Sequence, residues 1–184
     1  MKKQFLLVSL FTLAAVSFSF TGKPSHKSHR KAVSKSLDFP VAGMRSNIGG
    51  FWGDSRDGGV RKHKGIDIFA KKGTAVVAVS DGVIVKKAKT PIGGKTLWLK
   101  PNRYSWTAYY AHLDKQLVKR GQRVRKGQVI GTVGNTGNAR TTPSHLHFGI
   151  RPGKGWVNPL PYVKRSPKVA APKMPGKKAG KKRR

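Results

Sequence analysis

Between Asp38 and Val163 the apolar residues come in short runs, each closed by Gly, Pro, Asn or Asp. No stretch sustains a 3.6-residue apolar period for three turns, so helices cannot supply the core. The runs have the length and the β-branched content of strands: IDIFA (66–70), AVVAVS (75–80), GVIVKKAK (82–89), TLWLK (96–100), SWTAYYAHL (105–113), QVIGTVG (128–134) and SHLHFGI (144–150). Asp81-Gly82 and Gly93-Gly94 supply tight turns between them. The segment predicts an all-β domain of roughly 125 residues, enough to bury a core.

The flanks are of another kind. Residues 1–21 carry Lys2 and Lys3 ahead of an uncharged apolar stretch with small residues at Ser17, Ser19 and Thr21, the pattern of an export signal peptide. A retained anchor is the alternative, since a run of about 17 residues lies near the lower limit for crossing a bilayer. No cysteine follows it to take a lipid. Either reading places the domain outside the cytoplasm. Residues 22–37 read as a flexible basic linker, and nothing rigid there holds His26 and His29 as ligands. Residues 164–184 hold ten Lys and Arg, no acid and three prolines, and are expected to form a disordered basic tail.

Composition narrows the chemistry. The net charge is +33, with 39 Lys and Arg against six acids, and all six acids are aspartates. Without glutamate, the His-Glu-x-x-His peptidases and every glutamate base are excluded. Without cysteine, so are disulfides, thiol nucleophiles and thiolate zinc sites. A transition metal would have to be held by His and Asp.

Six histidines are present, and four lie outside the linker. In SHLHFGI, period-two alternation sends Leu146, Phe148 and Ile150 to one face and His145, His147 and Gly149 to the other. In HKGID a straight strand would hold His63 and Asp67 about 13 Å apart, so a shared metal requires a bend, which Gly65 permits. Asp67 then faces away from the core that Ile66 and Ile68 enter. His112 ends the strand YYAHL. Parity alone does not say whether His145 or His147 would ligate.

Taken in order, HKGIDIF, YYAHL and GTVGNTGNARTTPSHLHFGI resemble the three signature segments of the lysostaphin-like (LytM-like) zinc metallopeptidases that cut peptidoglycan peptides. GFWGDSRDGGVRKHKGID is similar to the lead-in to the first motif, and GQRVRKGQVIGTVGNTG to the family's glycine-rich hairpin. The resemblance covers about residues 45–160 and implies a single antiparallel β-sheet domain of the duplicated-hybrid-motif type over 38–163. It implies one zinc ion per chain held by His63, Asp67 and His147, with His112 and His145 serving the catalytic water and the transition state.

The resemblance thus implies an exported bacterial zinc endopeptidase, in the periplasm, envelope or medium, acting on stem or cross-bridge peptides of peptidoglycan. The alternative keeps the fold without catalysis, as a LytM-like module that binds the wall or activates an amidase. A monomer is expected. The basic tail predicts electrostatic attachment to an anionic envelope surface, and the export signal and lack of a reading motif count against nucleic acid as a partner. Asp54 and Asp57 read as turn formers, and the four tryptophans as core or rim packing. Asp114 reads as a turn residue, with an imidazole-orienting role as the alternative. Gly134-Asn135-Thr136-Gly137 reads as a turn or a border of the groove.

Overall fold

The computed structural model describes residues 37–170. The proposed signal, His26 and His29, most of the linker and the end of the tail lie outside them. No helix among the described residues is long and apolar enough to cross a membrane.

Twelve strands form among the described residues: β1 (Asn47–Gly50), β2 (Ser55–Arg56), β3 (Arg61–Lys62), β4 (Ile66–Phe69), β5 (Ala75–Val77), β6 (Gly82–Thr90), β7 (Gly94–Pro101), β8 (Trp106–Leu113), β9 (Lys115–Gln116), β10 (Arg123–Val124), β11 (Val129–Thr132) and β12 (His145–Pro152). One short helix, α1 (Leu160–Val163), follows. Seven strands make the main sheet in the order β1-β4-β12-β8-β7-β6-β10, with every pairing antiparallel.

Alternation decides which face of that sheet is buried. Ile66 and Ile68 of β4, Leu146, Phe148 and Ile150 of β12, and Ala108 and Tyr110 of β8 enter the core. Each fully buried Leu, Ile or Phe contributes about 1.5–3 kcal/mol, so this face fixes the register. The opposite face carries Asp67, His147, Gly149 and Tyr109. The buried Tyr110 hydroxyl accepts a hydrogen bond from Val79 N at 3.1 Å.

The strands expected at 75–80 and 128–134 form over shorter spans and leave the main sheet. They pair with β9 in a second sheet, ordered β5-β11-β9. Both their faces are apolar, which suits a covered layer. Val76 and Ile130 enter the main core, while Ala75 and Val77 point outward to a small cluster with Ala42, Val129 and Val169.

Packing against the main core and this outer cluster moves two expected boundaries. Leu37, assigned from sequence to the linker, is buried in the core. The tail does not leave the domain at Val163. Phe39 N donates to Pro167 O at 3.0 Å, Gly43 N donates to Val169 O at 2.8 Å, and Lys168 Nζ lies 5.1 Å from the centre of the Phe39 ring. Residues 167–169 therefore cover the outer face of β5.

Candidate metal centre and active site

The site lies on the open face of the main sheet, where β4, β12 and β8 run side by side. Asp67 faces His147, and His147 faces Ala111 on the other side. His63 reaches the same point from the segment before β4, because the chain bends at Gly65. A Cβ at Gly65 would lie 2.5 Å from Phe148 O and 2.7 Å from the His147 ring. Glycine is therefore needed there for room. This explains the HKGID spacing better than backbone freedom alone.

Three donor atoms converge. His63 Nε2 and His147 Nδ1 are 2.9 Å apart, and Asp67 Oδ1 lies 3.1 Å from the first and 3.0 Å from the second. Tetrahedral zinc bonds of about 2.0–2.2 Å put neighbouring donors about 3.3–3.6 Å apart, so the triangle fits within a few tenths of an ångström. The chemistry of the donors fits too. The Phe51 carbonyl, which can only accept, lies 2.6 Å from His63 Nδ1, and Arg56 Nη2, which can only donate, lies 3.0 Å from it; the shorter contact, to the carbonyl, is the one that leaves Nε2 free to present a lone pair. A divalent cation bound there would take the place of any hydrogen on His147 Nδ1, which lies 2.9 Å from His63 Nε2 and 3.0 Å from Asp67 Oδ1. Burial would raise the Asp67 pKa, but the hydrogen bonds and charges of His147 and His63 outweigh it and hold the carboxyl well below its usual range. Two lone-pair donors and a carboxylate aimed at one point are an arrangement that suits a divalent cation. His63, Asp67 and His147 are also a cluster with metal-ligand spacing among the described residues.

His112 and His145 flank this triangle, with ring centroids 4.9 Å apart. His112 Nδ1 donates to Thr136 O at 2.8 Å and His145 Nδ1 donates to Pro143 O at 2.8 Å. In both rings Nε2 is the nitrogen left clear of these backbone bonds, and that of His145 lies 3.9 Å from Asp67 Oδ1. Burial pushes the His112 pKa down to about 4, partly offset by the Thr136 carbonyl, which keeps this imidazole neutral at physiological pH. Burial lowers His147 as well, against the opposing pull of Asp67. His112 also has a left-handed backbone, φ 59°, rare for a residue with a side chain. Its N donates to Gly93 O at 2.8 Å, which helps hold that conformation. The 134–137 segment is a scaffold rather than the tight turn expected: Gly134 bridges His145, Gly137 opens a 3-10 turn of helix, and Thr136 between them fixes His112.

Three contributors escape a sequence reading. Arg56 Nη2 donates to Asp67 Oδ2 at 2.6 Å, clamping the carboxylate oxygen that does not face the imidazoles. Only a glycine at position 50 allows this, because a Cβ there would meet Asp67 Oδ2 at 2.6 Å. One arginine among so many carries no sequence signal. Tyr109 has its ring centroid 5.9 Å from His147, and burial raises its pKa to about 12, so its hydroxyl stays protonated. Alternation with the buried Ala108 and Tyr110 would have placed it on the open face. Ile92 and Gly93 form the far wall of the groove. Asp114 lies 3.7 Å from Lys72 Nζ and contacts no imidazole among the described residues, in keeping with its reading as a turn residue. The groove over these residues encloses about 550 Å³.

The family model of peptidase family M23 matches residues 61–159, more than half of the chain and all five site residues. The chain belongs to peptidase family M23. Its fold is that of lysostaphin. The catalytic domain of lysostaphin from Staphylococcus simulans superposes with a TM-score of 0.58 at 34% identity, covering 64% of this chain and 92% of that one. LytU superposes with a TM-score of 0.61 at 34% identity, covering 68% and 90%. Among curated M23 relatives, the peptidoglycan DD-endopeptidase ShyC of Vibrio cholerae is 38% identical over 91 residues, 50% of this chain and 20% of its own. The murein hydrolase activator NlpD of Escherichia coli is 40% identical over 101 residues, 55% of this chain and 26% of its own. The chain thus spans only about a fifth to a third of the length of such relatives.

Proposed function

We propose that this M23 protein is an exported zinc endopeptidase that hydrolyses peptide bonds in peptidoglycan stem or cross-bridge peptides. The observation that carries the reading is the meeting of His63 Nε2, Asp67 Oδ1 and His147 Nδ1 beside two imidazoles with free Nε2 atoms. His63, Asp67 and His147 would hold one zinc ion per chain, leaving a fourth position open as a catalytic site needs. Zinc bound there would polarise a carbonyl and make water acidic enough to lose a proton near neutral pH.

The chain's own residues do the rest. His112 and His145 have their Nδ1 hydrogens tied to backbone carbonyls, so each Nε2 can take a proton from the attacking water. Once protonated, the same nitrogen can donate to the developing oxyanion or to the leaving amine. Arg56 keeps Asp67 turned so that Oδ1 faces the imidazoles. Tyr109, protonated at working pH, can donate to a substrate carbonyl. Phe69, Ile92 and Trp156 give the groove apolar walls that shield the reacting atoms from water.

The similarity to NlpD favours a second reading, a non-catalytic module that activates a separate hydrolase. Retention of all five residues supports the enzyme. Digestion of purified muropeptides, with products identified by mass, separates the two. Cleavage that stops with chelator and returns with zinc is expected, and His63→Ala should lose most of its zinc. Intact muropeptides at every zinc level would favour the activator.

A further inference from the structure

The open face of the main sheet continues beyond the metal centre in rows set by strand register. Asp67, His147 and Ala111 form the first row. Gly149, Tyr109, Trp98 and Lys86 form the second. Arg151 and Thr107 form the third. Alternate residues along a strand are about 6.6 Å apart, so Arg151 lies about 13 Å from His147 on the same face. The middle row is aromatic. Trp98 and Tyr109 have centroids 4.5 Å apart, and each is 5.6 Å from Trp156. Trp156 lies over Gly149, where a Cβ would meet its ring at 2.7 Å.

Past this aromatic ridge the third row opens into a separate pocket of about 300 Å³, lined by Lys86, Trp98, Ser105, Thr107 and Arg151. Two cations face it. Neither pairs with a carboxylate among the described residues, although Asp38, Asp57, Asp67 and Asp114 all have basic partners. Arg151 is held over Trp156, with its guanidinium carbon 5.9 Å from the ring centre, and its buried Nε has no hydrogen-bond partner among the described residues. A buried donor left open, a neighbouring ammonium and two hydroxyls are the chemistry of a carboxylate site.

We propose that this pocket binds a carboxylate of the peptide substrate, three to four extended residues from the bond that lies at the metal centre. The inference rests on the reading of the groove as a peptide site and adds a specificity determinant to it. The peptide crosses the ridge of Tyr109 and Trp156, and its acid group is received by Arg151, with Lys86 adding charge. Uncharged or amidated peptides would lose this contact and keep the rest.

The test is binding to the zinc-loaded full chain, using an uncleaved stem tetrapeptide with a free carboxylate and its amidated counterpart. Calorimetry, or the fluorescence of Trp98 and Trp156, reads the affinity. A charge-assisted hydrogen bond predicts that the acid binds about ten- to a hundredfold more tightly than the amide. Arg151→Gln should reduce that preference to within about twofold by weakening the acid far more than the amide, and Arg151→Lys should restore part of it. Lys86→Gln gives a second, smaller reduction and serves in place of Arg151→Gln should the latter fail to fold. An equal affinity of the native chain for acid and amide overturns the proposal, as does a preference untouched by Arg151→Gln. Inorganic phosphate is the competing probe. Phosphate bound through Arg151 without any acid preference among peptides assigns the pocket to wall phosphate and also overturns it. Because binding is read without cleavage, a chain that prefers the acid but cuts nothing refutes only the endopeptidase reading. One that cuts without the preference refutes only this inference.

Discussion

At the scale of single residues, the five side chains of the centre depend on neighbours that fix their hydrogens and angles. His112 shows this most sharply, because its left-handed backbone, φ 59°, stores strain of about 1–3 kcal/mol. Asparagine tolerates that conformation better than alanine, so His112→Asn separates loss of the imidazole from loss of the fold. His112→Asn and His145→Ala should each keep zinc and lower muropeptide turnover about a hundred- to ten-thousandfold. Near-native turnover by both would remove them from the mechanism, and zinc loss by His145→Ala would mean that it, not His147, is the ligand. Arg56→Gln removes the clamp on Asp67 Oδ2 while leaving all three proposed ligands in place. Losing such a supporting partner costs about ten- to a hundredfold in metal affinity, and competition with a fluorescent chelator measures it. Unchanged affinity would reduce Arg56 to a surface contact. The histidines also set a pH dependence. His112 has a folded pKa near 4 against an ordinary 6.5, so the unfolded chain binds more protons between those values. Stability of the zinc-free protein should be fully present above pH 6.5 and fall as the pH drops toward 4, with His147 adding to the slope. Asp67, depressed as well, contributes stability that is lost as the pH falls below its ordinary 3.8. Denaturant unfolding at several pH values should show a shallower slope between pH 6.5 and 4 in His112→Asn than in the native chain.

At the scale of elements, the centre is a product of register. β12 carries His145 and His147 on one face because Leu146, Phe148 and Ile150 are buried on the other, and a slip of one residue would bury the imidazoles. The bend before β4 matters as much. A Cβ at residue 65 would strike backbone as well as the His147 ring, so Gly65→Ala cannot be absorbed by a side-chain rotation. It should destabilise the protein by about 1–3 kcal/mol and weaken zinc binding in the same step. Thermal unfolding with and without chelator checks both effects. A variant with native melting and native zinc content would show that the bend has slack.

At the scale of the whole molecule, the chain is a basic domain whose C-terminal segment divides in two. Residues 167–169 cover the second sheet, whereas residues 171–184 bring seven Lys and Arg and no acid. Ending the chain after Val163 removes four backbone hydrogen bonds, including those from Phe39 and Gly43, and the Val169 contact, so it should cost about 1–3 kcal/mol. Ending it after Ala170 should leave the melting temperature unchanged but weaken binding to isolated envelopes at low salt. Each Lys or Arg near an anionic membrane surface is worth about 1 kcal/mol, and the Debye length falls to about 3 Å at 1 M salt, which should erase the difference. Envelope binding by the Ala170 chain equal to that of the full chain across a salt series would leave the tail without this role. Hydrolysis of small soluble muropeptides should be the same in both.

The sequence by itself determined the all-β class, because no apolar run has a helical period. It also settled the inward face of β12 and the restriction of any metal ligands to His and Asp, because alternation and composition are local properties. The resemblance of its motifs then singled out the five residues. Only the tertiary structure decided that AVVAVS and QVIGTVG form a second sheet, since runs apolar on both faces do not reveal what covers each side. It alone brought Arg56 to Asp67 and set Arg151 beyond the ridge of Tyr109 and Trp156. Such pairings join residues distant in the chain, and among 39 basic side chains nothing local marks the few that meet a carboxylate or remain open to one.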